Sequence, residues 1–159
     1  MPSYEYTISK WAEKQVAQIW DIIMVTTGGS EDNSGIDGYL FKDEDNPNLT
    51  VQVKFDKRIY ETRNIYDEIK SKPKWKPNQE WWDDSPHNSM YYIFVTRDEP
   101  RGNAFAILLN LETLLKAREG KEILQINPTS IGYLIPLSEI EQDIILIEKN
   151  LITLGIIKI

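Results

Sequence analysis

The chain has 159 residues, 25 acidic and 18 basic for a formal charge of −7, and is 41% hydrophobic and 11% aromatic. That apolar content excludes wholesale disorder, and the length suits one domain spanning 1–159 that buries roughly 70% of its unfolded surface. The absence of cysteine removes disulfides, thiolate nucleophiles and Cys-based metal sites; with no leader-like N-terminus and no apolar run near the ~20 residues of a bilayer span, a cytoplasmic protein without a membrane partner is expected.

Residues 8–24 predict a helix, because Ile8, Trp11, Ala12, Val16, Ile19, Trp20 and Ile23 recur at three- and four-residue steps. Ser9 is its candidate cap and Glu13 falls in its first turn. The turn-rich run 26–35 predicts a loop. Its Gly28-Gly29-Ser30 lacks the spacing of a P-loop, so a plain hinge is expected there. Ile36 to Phe41 and Leu49 to Phe55 predict a hairpin joined by a polar turn containing Pro47. In its second strand Val51, Val53 and Phe55 alternate with Gln52 and Lys54, which places the two polar side chains on one face.

Ile59 to Ser71 predicts a second helix, with Ile59, Thr62, Tyr66 and Ile69 on one stripe and Pro73 ending it. Residues 72–89 predict a long irregular segment. Its Trp75, Trp81 and Trp82 either stack bases beside neighbouring lysines or fill the core beneath the loop. His87 is the single histidine, which makes a His-based metal site improbable. Met90 to Thr96 and Ala104 to Leu109 predict a second hairpin around a Pro- and Gly-containing turn. Asn110 then caps a short helix ending at Gly120. Ile131 to Leu137 predicts a late strand, and Ser138-x-x-Glu141 is a capping box opening a last helix to about Leu151. The order predicts an α/β fold with a central mixed β-sheet flanked by helices.

Charge is unevenly distributed. Residues 1–50 carry 3 basic and 9 acidic side chains, 54–76 carry 8 and 4, and 77–159 carry 7 and 12. The basic stretch, with Lys54, Lys57, Arg58, Arg63, Lys70, Lys72, Lys74 and Lys76, is either a solvated face or a phosphate-binding stripe.

The first hairpin reads Gly35-Ile-Asp-Gly38, a turn, then Val51-Gln-Val-Lys54. Over about residues 9–58 this resembles the PD-(D/E)xK nuclease superfamily, specifically its Mrr-like branch, in which a Gly-Ile-Asp-Gly strand precedes a strand ending in Gln-x-Lys. No Pro precedes Asp37, and Gln52 stands where an acid is more common. The resemblance implies a restriction-endonuclease-like fold and an Mg²⁺-dependent (or Mn²⁺-dependent) deoxyribonuclease. Asp37, Gln52, Lys54 and Glu13 would form its catalytic set, with Asp37, Glu13 and Gln52 holding the metal. The residue types suit that chemistry: carboxylate and amide oxygens are hard ligands, and a lysine beside the metal orients the attacking water and offsets charge on the phosphate. DNA is the expected partner, bound through Lys57, Arg58, Arg63, Lys72, Lys74 and Lys76. A homodimer is implied if both strands are cut. The alternative is a catalytically inactive module on the same scaffold that holds a protein partner or nucleic acid.

Overall fold

The computed structural model describes residues 4–19, 23–24, 36–39, 49–72, 82–83, 89–98, 103–140 and 145–146. In chain order these form helix α1 (Tyr4–Ile19), strands β1 (Ile23–Met24), β2 (Gly38–Tyr39) and β3 (Thr50–Phe55), and a short helix α2 (Arg58–Thr62). Then come strands β4 (Asn64–Ser71), β5 (Trp82–Asp83), β6 (Tyr91–Asp98) and β7 (Asn103–Asn110), followed by helix α3 (Leu111–Ala117). The described chain continues through β8 (Leu124–Asn127), β9 (Ser130–Pro136), a single-turn helix α4 (Leu137–Ile140) and β10 (Ile145–Leu146).

The strands build two sheets. The first is mixed and six-stranded, in the order β1-β2-β3-β6-β7-β10, with β3 parallel to β6 and the other pairs antiparallel. The second is antiparallel, in the order β5-β4-β9-β8. The fold is therefore α/β, with a mixed sheet flanked by helices and, against one of its faces, a second sheet.

Strands β6 and β7 explain the layering. Both are apolar on consecutive residues, as expected for strands buried on both faces. Ile93, Val95, Ala104, Ala106 and Leu108 pack with Val51 against Ile8, Trp11, Ala12 and Val16 of α1. The intervening Tyr92, Phe94, Phe105, Ile107 and Leu109 point the other way, onto Ile59, Ile65, Leu114, Ile135 and Ile140. Ala104 and Ala106 give the first face small side chains, while the second carries the larger Tyr92, Phe94 and Phe105. At the end of β7 the Asn110 Oδ1 accepts a hydrogen bond from the Thr113 N–H at 2.8 Å, the expected cap of α3. The chain turns away through Gly120 at φ +76°.

Three expectations are corrected. Helix α1 covers Tyr4–Ile19 rather than 8–24, so Ser9 lies inside it and Glu13 sits beyond its first turn; Ile23 belongs to β1. The predicted helix over Ile59 to Ser71 is a five-residue helix followed by the eight-residue strand β4. Arg63 separates them: its φ of 57° is left-handed, and its N–H closes the helix by donating to the Ile59 carbonyl at 2.9 Å. From there Ile65 and Asp67 alternate into the interior. The helix predicted to reach Leu151 is one turn, and Ile145–Leu146 pair with β7 as a strand; Glu141 lies outside the described residues. No helix among the described residues is long and apolar enough to cross a membrane.

Candidate functional site

The site begins with the alternation of β3. Val51, Val53 and Phe55 pack toward α1, so Gln52 and Lys54 project from the opposite face, beside their register partners Tyr92 and Phe94 on β6. Asp37, just before β2, grips this strand at two points. Its N–H donates to the Val51 carbonyl at 2.8 Å, and its Oδ2 accepts from the Val53 N–H at 2.7 Å. The two bonds bracket Gln52. The side-chain Oε1 of Gln52 is buried and has no hydrogen-bond partner among the described residues. A buried carbonyl oxygen left without a donor is costly, and a hard cation is one partner that would satisfy it. A carboxylate and an amide oxygen are each of the kind such a cation takes, but Asp37, Gln52 and Glu13 are not among the residues that line the groove beside Lys54.

Lys54, two residues on, opens into a groove of about 550 Å³. Its polar lining comes from Lys54, Asp56, Lys57 and Arg58, from Tyr66 and Glu68 of β4, and from Asn127, Thr129 and Ser130 around the β8–β9 turn, with Ile8 and Ser9 of α1 also at its surface. Asp56 shapes the stretch before α2, its Oδ1 accepting from the Arg58 N–H at 2.9 Å. Lys54 lines this groove and makes no ion pair with any described residue. In the same lining the Tyr66 hydroxyl and Ser130 Oγ are 2.7 Å apart, and Ser130 Oγ donates to Glu68 Oε2.

The remaining predicted residues are spread out. Glu13 pairs with Lys10 at 2.9 Å on α1, the helix covering the opposite face of β3 from Gln52 and Lys54. Arg63 lies outside the groove lining, its guanidinium 4.8 Å from the Phe105 ring centre and 5.5 Å from that of Tyr60. Lys72 ties β4 to the β8–β9 turn through its N–H, which donates to the Thr129 carbonyl at 2.8 Å. Lys74, Lys76, Trp75, Trp81 and His87 lie outside the described residues, as do Gly28, Gly29 and Ser30; Trp82 starts β5. Among the described residues no three His, Cys, Asp or Glu side chains gather into a metal-ligating group.

Tyr66 fits the helical stripe expected over 59–71, which hides its place beside Glu68 on a strand, and Ser130 lies more than sixty residues away. The signal of the strand was the buried Ile65 and Asp67 at two-residue spacing.

A second polar cluster joins β4 to the end of α3. Asp67 is 1% exposed and accepts from Arg118 Nε at 2.6 Å and from Arg118 Nη2. Arg118 also stacks on the Tyr133 ring at 5.2 Å. Burial, with a smaller contribution from the Asp67 charge, pushes the Tyr92 phenol up to about 12.

The chain matches no protein-family model, no curated protein and no solved structure.

Proposed function

We propose that this protein is a metal-dependent endonuclease of restriction-endonuclease-like fold that hydrolyses phosphodiester bonds in DNA. The observation that carries this is that Asp37 is hydrogen-bonded to β3 on either side of Gln52, while Gln52 and Lys54 share one face of that strand. The order of elements agrees with the resemblance: a helix, then a hairpin whose first strand follows Asp37 and whose second carries Gln52 and Lys54.

Asp37 and Gln52 would hold Mg²⁺ or Mn²⁺, which when bound activates a water and offsets charge at the phosphate. Glu13, engaged with Lys10 on α1, is left out of this set. Asp37 is oriented by the Val53 N–H, so its second oxygen is presented in a fixed direction. Lys54 contributes a cation to a phosphate oxygen and positions the attacking water. Lys57 and Arg58, on the same groove, neutralise the flanking backbone. One such site cuts one strand, so a double-strand break would require two copies of the chain.

The test is incubation of supercoiled plasmid with the purified protein across Mg²⁺ and Mn²⁺ concentrations. Nicked product that disappears on chelation supports the proposal. Intact plasmid throughout, with the protein folded, refutes it.

A further inference from the structure

We infer that the groove beside Lys54 binds single-stranded nucleic acid, with Lys54, Lys57 and Arg58 on the phosphates and the apolar surface of Ile126 and Phe55 beneath an unstacked base. The inference deepens the nuclease proposal by naming its substrate class, and it rests on that proposal for the role of Lys54.

The cations set the charge of the groove. Lys57 and Arg58 are exposed and Lys54 is half-buried, and none of the three pairs with a carboxylate among the described residues. Two carboxylates line the same groove, and both are engaged: Asp56 Oδ1 accepts from the Arg58 N–H, and Glu68 Oε2 accepts from Ser130 Oγ. Three cations against two carboxylates leave the groove net positive on a chain whose formal charge is −7. That contrast favours the less densely charged form of nucleic acid. A duplex carries one charge per about 1.7 Å of axis and a single strand about half that density, so the acidic remainder of the chain repels a duplex more strongly.

Apolar surface lies beside those cations. Ile126 is 38% exposed and lines the groove together with Phe55, a half-buried side chain whose ring meets that of Trp11 in a T-shaped contact at 6.2 Å. Leu124, two residues before Ile126, is 41% exposed, so exposed apolar surface continues along the edge strand β8.

A duplex keeps its bases stacked and offers a recess of this kind only phosphate and sugar; its base edges are reached by a helix or ribbon that enters the DNA groove. Ile126 and Phe55 would then face a charged backbone. A single strand splays its bases, and each base has a π-face that covers apolar surface while the adjoining phosphates meet the cations. The volume of about 550 Å³ falls among small-molecule sites, roughly 300–1,000 Å³, and admits a nucleotide unit rather than a duplex.

Fluorescence anisotropy in EDTA, which prevents metal-dependent cleavage, tests the inference with three labelled probes of equal length: oligo-dT, an abasic strand with the same backbone, and a duplex. The wild-type protein should bind oligo-dT about tenfold more tightly than either of the others. Ile126→Ser, a change at an exposed side chain, should bring oligo-dT affinity toward that of the abasic strand and leave the duplex unchanged. Lys57→Ala should weaken oligo-dT and reduce the salt dependence of its binding. Duplex or abasic strand bound as tightly as oligo-dT, oligo-dT affinity unchanged in either variant, or no binding at all overturns the inference. Nicking of supercoiled plasmid in Mg²⁺ by the same preparations separates the two claims. Nicking without strand preference removes this inference alone, and strand preference without nicking removes the nuclease proposal alone.

Discussion

The carboxylate of Asp37 accepts a hydrogen bond from the backbone N–H of Val53 at 2.7 Å, tying the residue before β2 to the middle of β3. This gives Asp37 a structural task beside its proposed chemical one, and two substitutions separate them. Asp37→Asn keeps an acceptor oxygen for Val53 and should alter stability little, yet it removes the charge and should abolish cleavage. Asp37→Ala leaves the Val53 N–H unpaired and should lower unfolding stability by about 1.5–3 kcal/mol, the usual range for a hydrogen bond to a charged group. Urea denaturation of the two variants measures the difference.

The ion pair of Asp67 and Arg118 supplies a second expectation. Removing the cation with Arg118→Met strands an aspartate that is 1% exposed, and breaking such a buried pair costs about 3–5 kcal/mol. Replacing both partners, Asp67→Leu with Arg118→Met, should recover most of that loss, because no charge is then left buried. A double-mutant cycle in urea reads the coupling directly.

Gly132 should be intolerant of even a methyl group. An alanine Cβ there would stand 2.4 Å from the Asp67 carbonyl oxygen and 2.9 Å from Glu68 Cα, both backbone atoms of β4 that cannot swing aside. Gly132→Ala should therefore destabilise the β4–β9 pair by about 1–3 kcal/mol, as overpacking of a tight interior does. Thermal unfolding gives the value.

How much of this was legible in sequence depended on whether a segment's periodicity was unambiguous. Strands β6 and β7 announced themselves through unbroken apolar runs, and Asn110 marked the start of α3 because its side chain can satisfy an exposed helical N–H. The stretch from Ile59 was harder. Ile59, Thr62, Tyr66 and Ile69 fit a helical stripe, while Ile65 and Asp67 fit a strand, and the left-handed backbone at Arg63 that decides between them is unusual for a residue other than glycine. Strand β8 escaped notice because Leu124 and Ile126 are exposed and show no buried face. The hairpin residues Asp37, Gln52 and Lys54 were visible as a motif. The groove lining from Tyr66, Glu68 and Ser130 was not, since it joins residues more than sixty positions apart.

Alkaline pH should weaken the fold through Tyr92. Burial holds its phenol neutral up to about 12, whereas in the unfolded chain it ionises near 10. Between these values the unfolded state binds fewer protons than the folded one, so this contribution to stability is complete below pH 10 and falls as pH rises toward 12. Comparing urea midpoints of the wild type and Tyr92→Phe at pH 9 and pH 11 isolates the effect. The wild type should lose more stability than the variant over that interval.

The central claim is that Lys54 acts on a scissile phosphate beside Asp37 and Gln52. The most direct measurement is the initial rate of plasmid nicking in Mg²⁺ or Mn²⁺ by the wild type and by Lys54→Ala, with circular dichroism confirming equal folding. The account predicts metal-dependent nicking by the wild type and its loss in Lys54→Ala. Equal rates for the two proteins, or no nicking by either, would contradict it.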